Sequence, residues 1–95
     1  MKIDFTKISV PKNVAKTEVQ VMDLKEAFAD AIYNNGPGVA AANLALKIYN
    51  SDESTGYDKN EVDLMKGIAK SVLKAAAMDG VLAAIEKAEK GGSNG

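Results

Sequence analysis

The sequence predicts an α+β fold, with an N-terminal two-stranded β-hairpin followed by a compact bundle of four helices. Three observations carry the prediction. Two short runs before Asp23 alternate apolar and polar residues, as half-buried strands do. From Asp23 onward the apolar period becomes helical, interrupted at Asn34-Asn35-Gly36, Ser51 to Gly56 and Met78-Asp79-Gly80. A chain of 95 residues with 46% apolar content forms one core and not two, so residues 1–90 are expected to be a single domain.

The first run, Lys2 to Val10, places Ile3 and Phe5 on one parity and Ile8 and Val10 on the other, which requires a bend near Thr6-Lys7. Pro11-Lys12-Asn13 signals the turn, and Thr17 to Val21 is the returning β-branched strand. Asp23 with Glu26 three residues on has the form of a capping box, opening a helix striped by Leu24, Phe28, Ala31 and Ile32. Pro37 fits the first turn of the next helix, where its missing N–H costs nothing. That second helix, Gly38 to Asn50, is apolar almost all round, which predicts the central helix with Leu46 in the core and Lys47 in water. Asp58 and Glu61 form a second box, opening a helix that buries Val62, Met65, Ile68, Val72 and Leu73. The last helix, Val81 to Lys90, carries a thin stripe of Val81, Leu82, Ile85 and Ala88, so it should dock weakly or complete itself on another chain. Residues 91–95 read as a disordered Gly-rich tail.

The opening Met1-Lys2-Ile3-Asp4-Phe5-Thr6-Lys7-Ile8, the segment Ala31-Ile32-Tyr33, the run Leu44 to Tyr49 and the acidic start of the third helix at Asp58 to Val62 span most of the chain. In these features the chain resembles a group of small uncharacterised proteins of Bacteroides-like genomes and their phages or mobile elements. The shared features are structural, so the resemblance assigns no catalytic or binding residue.

Composition narrows the chemistry. All twelve cations are lysines, against thirteen acids, and there is no histidine or cysteine. Thiolate nucleophiles, disulfides, zinc–thiolate and iron–sulfur sites are therefore excluded, and the one side chain that titrates near neutrality unperturbed is missing. No signal peptide or membrane-spanning run is legible, which predicts a cytoplasmic protein. Lys2, Lys7, Lys12 and Lys16 crowd the hairpin, but without arginine the bidentate reader of guanine is missing, and the net charge of -1 argues against nucleic acid. Lysines on an exposed strand read instead as edge protection.

The loop from Asn50 to Glu61 places oxygen-bearing Asn50, Asp52, Ser54, Asp58 and Glu61 at positions one, three, five, nine and twelve of a calcium loop, framed by two helices. Position six is Thr55, where that loop needs glycine, so capping by Asp58 and Glu61 accounts for the acids better. Ser71-Val72-Leu73-Lys74 matches a Ser-x-x-Lys pattern in which lysine activates serine, but it lacks both companion motifs and reads as an exposed helical serine.

The expectation is a non-enzymatic protein-interaction module without cofactors, acting on an unidentified protein and as a homodimer. A lone hairpin is marginal in water, so its edge should pair with a second copy around Ile8, Val10, Val19 and Val21. The alternative is a calcium-binding helix-loop-helix protein using Asn50 to Glu61.

Overall fold

A computed structural model describes residues 1–92. It has the expected order: β1 (Ile8–Pro11), β2 (Val19–Met22), α1 (Lys25–Asn35), α2 (Gly38–Tyr49), α3 (Lys59–Val72) and α4 (Ala75–Gly92). β1 and β2 pair antiparallel, Ile8 opposite Met22 and Pro11 opposite Val19. β1 lies on α4, α1 packs along α2, and α3 touches both α1 and α4.

The bend expected near Thr6-Lys7 is present, and its cause is Asp4. The Asp4 carboxylate accepts hydrogen bonds from Thr6 N at 3.0 Å and Thr6 Oγ1 at 2.6 Å, which turns the chain after Phe5. Ile3, Phe5, Ile8 and Val10 thereby all reach the core. The turn also corrects the strand that the sequence pattern begins at Lys2. Only Ile8 to Pro11 belongs to β1, whereas Lys2 bridges Gly56, and Met1 and Tyr57 exchange backbone hydrogen bonds at 2.9 and 2.7 Å. The N-terminus thus stitches to the loop before α3, and this brings Phe5 between Phe28 and Tyr57 with ring centroids 5.3 and 6.0 Å away.

α3 begins as its sequence says. Asp58 accepts from Glu61 N at 2.8 Å and Glu61 accepts from Asp58 N at 2.9 Å, so two otherwise unpaired donors are satisfied reciprocally. Val62, Met65, Ile68 and Ala69 face the core, but Val72, at the last turn, lies exposed.

Four expectations need correction. The Asp23–Glu26 box does not form: the N-cap of α1 is Leu24, without a side-chain cap, and Asp23 instead accepts from Lys25 N at 3.1 Å in a local turn. Pro37 occupies the N-cap of α2 rather than its first turn, in an extended conformation, and Gly38 follows with φ of 56°. α2 is not central, because it packs on α1 through Ala41, Leu44, Ala45 and Ile48 while Leu46 stands 61% exposed. Finally, the break between α3 and α4 lies at Leu73-Lys74, and Met78-Asp79-Gly80 runs inside α4.

Gly80 is helical because of what it crosses. A Cβ there would meet Ser9 O at 2.9 Å, Ile8 Cγ2 at 3.0 Å and Val10 Cγ2 at 3.2 Å, so the glycine lets α4 lie directly on β1. Val81 and Ile85 are then fully buried, and α4 is firmly docked where its thin stripe suggested weak packing. Gly91 and Gly92 fall within α4, and residues 93–95 of the expected disordered tail lie outside the described residues.

Candidate functional site

Two surfaces leave apolar side chains without intramolecular cover, and the first is β2. Its four residues, Val19 to Met22, are all exposed. Backbone geometry decides which of its groups are free. Lys12 N donates to Glu18 O at 2.9 Å, so in the observed register Val10–Gln20 and Ile8–Met22 are also pairs that exchange hydrogen bonds. Ser9, Pro11, Val19 and Val21 consequently direct their backbone groups away from the partner strand. On β1 that outer edge is blunted, since Pro11 has no N–H and α4 lies beside Ser9 O. On β2 the N–H and C=O of Val19 and Val21 face outward from an exposed strand.

The residues expected at a dimer centre therefore divide. Ile8 and Val10 put their side chains into this chain's own core, at 0% and 5% exposure, and Val19 and Val21 put theirs in solvent, at 58% and 66%. The hairpin loop is set by Asn13, whose side chain accepts from Thr17 N at 3.0 Å and donates to Thr17 Oγ1 at 2.8 Å, while Lys16 adopts φ of 59°. Lys16 reaches across to Asp79 at 3.7 Å, which ties the hairpin to α4 and leaves the β2 edge untouched.

The second surface is a cleft of about 340 Å³ between α1 and α2. Ala29, Ala42 and Ala45 line it with short side chains, and Tyr33, Leu46 and Tyr49 stand beside them, with Asp30 and Asn43 as its polar lining. Tyr33, Leu46 and Tyr49 are all more than half exposed. Sequence reasoning missed this cleft. Its signal is the apolar circumference of α2, a pattern that fits burial on every side as well as one face left open.

The five residues of the calcium-loop alternative are each held in local hydrogen bonds. Asn50 donates to Leu46 O at 3.1 Å from the end of α2. Asp52 Oδ1 accepts from Ser54 N at 2.8 Å and Ser54 Oγ at 2.7 Å, hydrogen bonds that hold its carboxyl below the usual range. Asp58 and Glu61 form the capping box, and both Glu61 oxygens are held by Lys47 Nζ at 2.9 and 3.0 Å. Among the described residues no group of three or more acids is placed to share a cation.

Other candidate chemistry is likewise engaged in structure. Ser71 Oγ donates to Gly67 O at 2.8 Å, and Lys74 lies beyond the end of α3. A cleft of about 370 Å³ gathers Asp4, Lys7, Lys25, Asp52 and Glu53, in which Asp4 and Asp52 are each bonded within their own turn and Lys25 Nζ donates to Ser51 O at 3.2 Å. No described helix is long and apolar enough to cross a membrane. Compared with protein-family models, curated proteins and solved structures, the chain has no match.

Proposed function

We propose that this chain is a protein-interaction module, binding rather than catalysing, and that it works as a homodimer joined through the free edge of β2. One observation carries the reading: β2 is exposed along its whole length, and its outer backbone groups belong to two exposed valines. An open edge of β-branched residues is a template for another strand, and no lysine lies within β2 to discourage pairing. A second copy is the natural complement, because antiparallel pairing of a strand with itself is two-fold symmetric and closes. With Val19 opposite the partner's Val21, every outward N–H and C=O of the two residues is satisfied. The four valines then lie together on one face.

Sedimentation equilibrium from low to tens of micromolar tests this. The expected result is a concentration-dependent rise toward twice the 10.0 kDa mass. Val21→Pro removes an N–H that makes no bond within the hairpin, so it should hold the chain at monomer mass with an unchanged circular dichroism spectrum. A mass of 10.0 kDa at every concentration refutes the dimer, and a dimer insensitive to Val21→Pro refutes this edge.

A further inference from the structure

We infer that the α1–α2 cleft is a second docking surface, separate from the β2 edge, and that it takes an amphipathic helix of a partner protein whose apolar stripe is flanked by lysine or arginine. Three features select that occupant. First, the cleft lies between two helices, and helices offer an extended peptide no backbone partners in an apolar groove. An occupant must therefore satisfy its own hydrogen bonds, as a helix does. Second, the alanines leave room for one row of aliphatic side chains between Tyr33, Leu46 and Tyr49, which matches a stripe at i, i+3, i+4 and i+7.

Third, the border is acidic and uncompensated. Asp30 lines the cleft, and Glu26 stands one turn away on the same face of α1. Among the described residues neither carboxylate is in an ion pair. The nearby lysines are directed elsewhere, Lys47 to Glu61 and Lys25 to Ser51 O. Such a border favours a cationic helix and disfavours an acidic one. A second copy of this chain does not fit the description, because α1, α3 and α4 bury their apolar stripes in the core, and α2, whose Leu46 and Tyr49 are exposed, uses those residues as a wall of the cleft itself.

The test uses two helical peptides of about 15 residues, long enough to hold a helix on binding, with the same leucine stripe and either lysine or glutamate at all other positions. Titrated into isotopically labelled protein, the lysine peptide is expected to shift the amides of residues 29–33 and 42–49 and to bind about tenfold or more tightly than the glutamate peptide, with the advantage shrinking as salt is raised. Leu46→Asp, at an exposed position, should abolish binding without unfolding the chain. Asp30→Lys should narrow or invert the preference for the basic peptide. Equal binding of the two peptides, shifts centred on β2, or a loss of dimer mass in Leu46→Asp would each overturn the inference. The dimer itself is tested separately by Val21→Pro.

Discussion

Tyr57 is 3% exposed, and its hydroxyl has no hydrogen-bond partner among the described residues. Ser51 stands near it but donates its own hydroxyl to Ile48 O at 2.6 Å. Burial therefore pushes the phenol above its ordinary value, against the opposing pull of Ser51 and of Lys47, whose ammonium lies 5.0 Å from the ring centroid. A buried donor left unpaired is a cost, so Tyr57→Phe should leave stability unchanged or raise it by about 1 kcal/mol in denaturant melts. Because the folded phenol titrates above the unfolded one, wild-type stability is full below the ordinary tyrosine range and falls as pH rises through it. Tyr57→Phe should flatten that alkaline limb. The acid limb has the opposite sign. Asp4 and Asp52 are both held low, chiefly by hydrogen bonds from Thr6 and Ser54, so what they add is present above the ordinary carboxylate range and is lost as pH falls through their folded values. Asn keeps an acceptor for each turn but does not titrate. Asp4→Asn with Asp52→Asn should accordingly weaken the pH dependence of the unfolding midpoint below about pH 4, the region where unfolded carboxylates titrate.

At the scale of the element, α2 and α4 show where a sequence pattern is ambiguous and why. A helix apolar all round is buried, or it has one face on the core and another left open, and periodicity alone does not separate the two. Ile48 is fully buried and Leu46 is not, so Ile48→Ala should cost about 2–5 kcal/mol, whereas Leu46→Ala should stay within about 0.5 kcal/mol. Parallel chemical melts of the two variants decide it, and similar losses would place α2 in the interior after all. In α4, Met78-Asp79-Gly80 has the composition of a helix stop, yet the glycine is there for close contact with β1, which no local signal reveals. Alanine at an exposed helical site gains about 1 kcal/mol over glycine, but here its Cβ would press on Ser9 O and two core side chains. Gly80→Ala should therefore destabilise by about 1–3 kcal/mol, the reverse of its propensity. By contrast, α3 was legible down to its cap, because Asp58 and Glu61 act within four residues of each other and need no tertiary partner. The hairpin was legible for a similar reason, its alternation and turn being local. The stitching of Lys2 to Gly56 was not, because a contact fifty-four positions away leaves no mark on either segment.

The whole molecule measures 38 × 32 × 19 Å, so its shortest dimension holds about two packed layers. In so thin a body the cover over each element decides its local stability. β1 has α4 on its inner face and β2 along one edge, whereas β2 packs chiefly on β1 and is exposed along its length. The solvent-facing cleft and the open strand follow from the same shortage of layers. The shortage also makes the proposed dimer visible residue by residue. In a monomer the amides of Val19 and Val21 point to water, so they should exchange with solvent nearly as fast as an unstructured chain, while those of Val10, Ile48 and Ile85 exchange only through larger openings. In the β2-paired dimer the same two amides become the central hydrogen bonds of a four-stranded sheet. Hydrogen exchange at low and high protein concentration should therefore show protection at Val19 and Val21 that grows with concentration, with no change at Lys12 or Gln20, whose amides point across the hairpin to the opposite strand in either state. Rapid exchange of both valines at tens of micromolar would mean that the edge stays open and that the two copies, if they meet, meet elsewhere.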